Sequence, residues 1–258
     1  MSGAVHPAPP VQPVRTEPAS LLVRLSKARS GGRHDSVLIH PAGGGLLQYL
    51  PLVPLLATWG SVSGIRAAGL VPGEDPHCDV PAMAAAYTEA ILTLQRPPAV
   101  LLGWSMGGVL AWEVSALLAE YGVRPVVVMI DSMCDPEVDP VTSGQAGTDP
   151  LDDWTATILS HGVGSDAHNP NSVATTRAHV IASMAHQVRT VSATPALLLA
   201  CGSEPAPAER LGNWAALAPE LRIDRLPGEH FDVFHDTVRP LMLDRIERFL
   251  SALWTDHE

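Results

Sequence analysis

Lysine is almost missing from this chain: Lys27 is the sole lysine among 16 basic residues. With abundant Ala, Pro and Gly, that bias is a mark of GC-rich coding and carries no functional information. Basic charge is scarce altogether. Acidic residues number 27, the formal charge is −11 and the sequence pI is near 5.4. Such a balance excludes the electropositive footprint of a nucleic-acid binder. Cysteine is sparse, at Cys78, Cys134 and Cys201. Three distant cysteines make no disulfide framework, and without a CxxC pair or a His/Cys cluster no metal site is expected. A reducing, cytoplasmic setting follows. No apolar run approaches the ~20 residues of a membrane helix. The first twenty residues have no basic and apolar leader pattern, so they are no secretory signal, and five prolines predict a disordered or PPII-like tail over 1–20. There is no internal repeat. The glycine-rich stretches lack both GK[ST] and GxGxxG, which sets nucleotide-phosphate binding aside.

The remaining residues, 21–258, read as one large α/β domain. Apolar, β-branched runs predict strands at 36–40, 61–69, 98–104, 124–132 and 194–203, with a short strand and loop over 221–230. Helical patterns fall between them, over 45–58, 79–95 and 106–122, and again at 206–217. A closing amphipathic helix is apolar at Val238, Leu241, Met242, Ile246, Phe249, Leu250 and Leu253. Strand alternating with helix implies a mostly parallel sheet with helices on both faces. From about 135 to 190 the rhythm breaks into turn residues and two helical patches, roughly 151–162 and 172–190. This insertion follows the C-terminal end of a strand, the side on which open α/β sheets bind ligands, so it is placed to be a lid.

The chemistry centres on GWSMG at 103–107, which fits G-x-S-x-G. The motif is weak by itself, but a strand before it and a helix after it supply the tight turn that lifts a serine hydroxyl above the sheet at a helix N-terminus. Ser105 is therefore the candidate nucleophile. A serine hydroxyl needs a base. On this fold the base is a late histidine, and His230, after a Gly-Glu turn, suits that role better than His235 at the start of the last helix. Two acids could orient the imidazole. Asp131 ends a buried strand, where a charge needs a partner; Glu204 follows the next strand in a Pro-rich loop and is the alternative. An oxyanion hole needs two backbone N–H donors. Met106 follows the nucleophile, and the HPAGGG loop at 40–45 offers Ala42, with Gly43 second and also a possible substrate contact. Trp104 either shapes an acyl pocket or packs beneath the turn.

VLIHPAGGG (37–45), GLVPGEDP (69–76), AYTEAIL (86–92), PAVLLGWSMGGVLAWEVSALL (98–118), VVVMIDS (126–132) and LPGEHFDVF (226–234) run in the order of one family. Together they resemble the thioesterase domains that end nonribosomal peptide and polyketide synthetases, over about residues 20–250. The resemblance implies an α/β-hydrolase fold and a Ser105–His230–Asp131 triad. It implies oxyanion donors at Ala42 and Met106, a mobile lid, and transfer of an acyl or peptidyl chain from a phosphopantetheine arm to water or an internal nucleophile. It implies no bound cofactor, since the phosphopantetheine belongs to a partner acyl or peptidyl carrier protein. The chain opens on Met and has no carrier-type segment, as expected of a free-standing enzyme or an excised domain. Free-standing members often edit stalled chains, whereas GLVPGEDP and the placement of Asp131 look more like the chain-terminating type. A carrier-independent esterase and a non-catalytic binding protein are the competing readings.

Overall fold

The computed structural model describes residues 17–29, 31–134, 149–162, 168–202 and 214–255. Seven strands form one sheet among these residues: β1 (Leu22–Ser26), β2 (Ser36–Ile39), β3 (Val62–Ile65), β4 (Val100–Trp104), β5 (Val126–Ile130), β6 (Ala196–Cys201) and β7 (Leu221–Leu226). Their order across the sheet is β1-β3-β2-β4-β5-β6-β7. β1 pairs antiparallel with β3, and the other neighbours are parallel. β2, β4 and β6 are buried along their whole length, and β5 at all but its first residue. That is the burial expected of strands covered on both faces. The edge strands β1 and β7 alternate less cleanly and expose several residues.

β1 was not anticipated. Its sequence, LVRLS, carries an arginine and lies next to the Pro-rich tail, and at an edge its exposed residues need no apolar pattern. Residues 45–58 depart from a single helix. They form a 3₁₀ helix over Leu47–Leu52 followed by one α-helical turn, α1 (Val53–Leu56). Pro51 and Pro54 remove two backbone donors from this stretch, so a continuous i→i−4 ladder cannot run through it.

Helix α2 (Val80–Leu92) starts where the sequence signals it: the Asp79 side chain accepts the Ala82 N–H at 2.8 Å. Helix α3 (Met106–Glu120) packs on α2 and lies against β2, β4 and β5. The insertion between β5 and β6 contributes α4 (Pro150–Ser160) and α5 (Pro170–Ala185), which pack on each other. Both have proline in the first turn and an Asp or Asn cap, Asp149 and Asn169. α5 ends five residues short of the expected 190; from His186 onward the chain is extended and pinned to α3. Of the helical pattern at 206–217, Trp214–Leu217 forms a helical turn, and the rest lies outside the described residues, as do 135–148 and the tail to residue 16. The closing helix, Arg239–Thr255, lies against β6 and β7. It buries Met242, Ile246, Phe249 and Leu250, with Leu241 and Leu253 partly buried. Among the described residues no helix is long and apolar enough to cross a membrane, and no group of three or more His, Cys, Asp or Glu is arranged to hold a metal ion.

Candidate active site

Register places two of the candidate residues side by side. Trp104 of β4 pairs with Ile130 of β5, so the next residues, Ser105 and Asp131, leave neighbouring strands at the same level. The Ser105 N–H donates to the Ile130 carbonyl at 2.8 Å, and the Asp131 N–H to the Leu199 carbonyl at 2.7 Å. Both residues then turn through positive φ, 56° at Ser105 and 43° at Asp131, and among the described residues they are the non-glycine residues so disposed. Side chains at such φ are uncommon and cluster at functional turns. Ser105 caps α3 in this strained state, with ψ −129°.

The flanking glycines are a steric necessity. A Cβ at Gly103 would stand 2.1 Å from the Gly107 carbonyl, and one at Gly107 would stand 2.4 Å from the Ile39 carbonyl. β4, β2 and the first turn of α3 approach too closely for any side chain.

His230, on the loop between β7 and the closing helix, bridges the two. Its Nε2 lies 3.1 Å from Ser105 Oγ, and its Nδ1 lies 2.6 Å from Asp131 Oδ2. The other carboxylate oxygen, Oδ1, accepts the Cys201 N–H at 2.9 Å. With Nδ1–H donating to the carboxylate, Nε2 presents its lone pair to the serine hydroxyl, as a general base requires. His235, the alternative base, is exposed and pairs with Asp232 at 3.2 Å. Glu204, the alternative acid, lies outside the described residues.

Asp131 is braced from behind. The Trp214 indole N–H donates to the Ser132 carbonyl at 2.8 Å. Trp214 in turn meets Trp112 of α3 edge to face, at 5.5 Å between ring centroids, both rings fully buried.

A small pocket opens over Ser105, lined by Pro41, Ala42, Trp104, Trp154, Ile158 and Phe231 together with Ser105 and His230. Ala42 is on this wall, and Gly43 is buried beside it. Met106 is the first residue of α3, where the N–H groups of the first turn have no intrahelical acceptor. Trp104, 2% exposed, packs beneath the turn and also forms part of the pocket wall. Its ring lies 5.1 Å from that of His230 and meets Phe231 and Phe234 edge to face.

The insertion supplies the roof. Trp154 and Ile158 of α4 face the pocket, and His161, which ends that helix, stacks on Phe231 at 4.0 Å. These contacts had no local sequence signal beyond helical spacing. Neither did Tyr49, whose hydroxyl accepts the Trp104 N–H and donates to the Ile39 carbonyl, both at 2.8 Å, tying the ends of β2 and β4 together. Burial raises the Tyr49 pKa well above the usual phenol value, so the hydroxyl keeps its proton.

Comparison with known proteins gives a family. The model of the thioesterase domain matches residues 37–250. The nonribosomal peptide synthetase btyA of Aspergillus terreus is 38% identical over 93 residues, 36% of this chain and 10% of that protein. The dimodular nonribosomal peptide synthase of Bacillus subtilis is 32% identical over 116 residues, 44% of this chain and 5% of that protein. The match thus spans a small fraction of those curated relatives. Among solved structures, the NocB thioesterase domain in covalent complex with a fluorophosphonate nocardicin G analogue superposes with a TM-score of 0.68 at 22% identity, over 84% of this chain and 95% of that one. YbtT, a type II thioesterase of the yersiniabactin pathway, gives 0.70 at 20% identity, over 90% and 99%. At such identities the likeness carries the fold, which is that of the α/β-hydrolases.

Proposed function

Because the chain belongs to the thioesterase domain family, we propose that it is a serine thioesterase acting on an acyl or peptidyl chain carried as a thioester on the phosphopantetheine arm of a carrier protein. The observation that supports this reading most is the continuous hydrogen-bonded chain from Ser105 through His230 to Asp131 at the mouth of the pocket.

The chemistry is two acyl transfers through one ester. His230 Nε2 takes the Ser105 proton as Oγ bonds to the thioester carbonyl carbon. The carbonyl electron pair moves to oxygen, and the resulting oxyanion is held by the N–H groups of Ala42 and Met106. Asp131 stabilises the imidazolium through Nδ1–H without taking its proton. Collapse re-forms the carbonyl and breaks the C–S bond, and His230 returns its proton to the departing pantetheine sulfur. In the second half the base takes a proton from water, or from a nucleophile within the chain, and that oxygen or nitrogen attacks the acyl-serine. A second oxyanion forms in the same place, and collapse frees Ser105 with its proton restored. Water gives an acid, and an internal nucleophile gives a macrocycle. Editing of stalled chains uses the same steps, with water as the nucleophile.

Turnover of an acyl-carrier thioester is expected to require Ser105 and His230. The Ser105→Ala and His230→Ala variants should show no turnover, and intact-protein mass spectrometry should trap an acyl adduct on the wild-type serine. Equal rates on the carrier-borne thioester and on the matching simple ester would sink the carrier-dependent reading in favour of a carrier-independent esterase. Absence of any Ser105 adduct would remove both.

A further inference from the structure

Behind the Ala42 side of the pocket lies a buried polar cluster that the reaction above does not use. His40 follows β2 and His179 belongs to α5 of the insertion; both are fully buried, and their rings stack at 4.9 Å with an interplanar angle of 14°. Each grips one carbonyl of the loop that carries Ala42. His40 Nδ1 lies 2.8 Å from the Pro41 oxygen, which also accepts the Gly44 N–H at 2.8 Å. His179 Nδ1 lies 2.6 Å from the Ala42 oxygen. A carbonyl brings no proton to a hydrogen bond, so both rings carry their hydrogen on Nδ1. His40 Nε2 then accepts from the Tyr87 hydroxyl. Among the described residues, His179 Nε2 is buried and without a hydrogen-bond partner.

Peptide geometry converts these grips into a statement about the pocket. In a trans peptide the C=O and N–H point to opposite sides. Fixing the Pro41 carbonyl from behind therefore aims the Ala42 N–H the other way. Fixing the Ala42 carbonyl likewise sets the next plane, the one that carries the Gly43 N–H. Two consecutive planes are held by two histidines, and one of these arrives on the insertion, 137 residues away in sequence.

We propose that His179 is a positioning residue for acyl transfer: from the insertion it holds the Ala42 carbonyl and stacks on His40, which holds the Pro41 carbonyl and so aims the Ala42 N–H, so that the oxyanion loop takes its working geometry only while α5 is docked. The proposal rests on the acyl-transfer reading of Ser105. It makes the insertion a part of the catalytic apparatus as well as a cover. An insertion helix that merely packed would need apolar contacts there and not a buried imidazole with one nitrogen unpaired, whose burial costs free energy.

The test removes the donor or moves it. His179→Phe retains a ring to stack on His40 and loses the N–H. His179→Asn places an amide N–H near the Nδ1 position, and His179→Gln places it near Nε2. The readouts are the rate of Ser105 phosphonylation by a fluorophosphonate probe, kcat and KM on an acyl-N-acetylcysteamine thioester, and the melting temperature. Loss of one hydrogen bond to the loop is expected to slow phosphonylation and kcat about tenfold in His179→Phe, with KM little changed. His179→Asn should recover most of the rate and His179→Gln little of it. If His179→Phe does not fold, the Asn-to-Gln contrast decides alone. Wild-type rates in His179→Phe, equal rates in the Asn and Gln variants, a change confined to KM, or failure of all three to fold would overturn the proposal. Ser105→Ala separates the two levels. If the wild type shows no Ser105-dependent phosphonylation, the acyl-transfer reading fails and takes this proposal with it. If the wild type labels and all three variants label alike, the positioning role alone fails.

Discussion

Ser105 and Asp131 both turn through positive φ as they leave adjacent strands at the same level. Aspartate and asparagine tolerate positive φ better than most residues. Asp131→Asn should therefore preserve the turn while removing the charge that steadies the imidazolium. It is expected to lower turnover by about 10⁴-fold, as amidation of a triad acid does elsewhere, with little change in melting temperature. Near-normal turnover in Asp131→Asn together with loss in Glu204→Gln would move the role of acid to Glu204. Gly107→Ala acts by another route, since its new Cβ meets a backbone carbonyl, which cannot rotate away. The expected cost is about 1–3 kcal/mol of stability, read from urea unfolding, and an unchanged midpoint would show that the turn can relax. The need for small residues around Ser105 was legible in the motif. The Ile39 carbonyl that enforces it at Gly107 was not, because it comes from a segment distant in sequence.

At the scale of elements, the insertion is attached to the catalytic body at several named points. α4 meets the pocket through Trp154 and Ile158, and α5 holds the Ala42 carbonyl through His179. The chain after α5 is fastened to α3. Glu113 receives His186 Nε2 at 3.0 Å on one oxygen and the Thr190 hydroxyl at 2.6 Å on the other, and the Trp112 indole N–H donates to the Thr190 carbonyl at 2.9 Å. Glu113 is the shared acceptor, so Glu113→Ala releases two of these three ties. Hydrogen exchange in α5 and in residues 186–190 is expected to quicken in that variant, while exchange in β4, β5 and β6 stays slow. Uniform quickening would mean that Glu113 supports the whole fold and is no local fastening. The two insertion helices were legible as helical patches in the sequence. Their docking was not, since it depends on polar side chains, Glu113, His179 and Thr190, that an apolar pattern does not mark.

For the molecule as a whole, buried runs such as VLLGW and ALLLAC disclosed the interior of the sheet, and the alternation of strand and helix disclosed its parallel sense. The antiparallel edge strand β1 escaped because an edge is held by backbone pairing and carries no strong apolar signature. The histidines escaped for a different reason: in sequence a buried imidazole and a solvated one look alike. Their burial has a global consequence in acid. Desolvation, more than any neighbour, holds His40 well below the ordinary imidazole value, and the same cause lowers His179 from 6.5 to about 4. The groups facing them give no counter-charge. His77 is itself shifted down by burial, Tyr87 keeps its proton, and Arg66 adds positive charge nearby. Asp79 acts on His77. A lowered pKa means that the folded state refuses protons that the unfolded chain accepts. Stability is therefore complete above pH ~6.5 and is lost as pH falls toward ~4, where His179 also begins to charge. The loss over that window should reach a few kcal/mol, at about 1.4 kcal/mol per pKa unit. Glu74, lowered from 4.5 chiefly by its hydrogen bonds from Arg66, loses its contribution only below that value, so the two effects separate on the pH axis. Thermal melts at pH 7, 5.5 and 4.5 should show the decline in the wild-type protein. His179→Asn, which no longer titrates there, should show a shallower slope, and parallel slopes in the two proteins would rule out His179 as a source of the acid sensitivity.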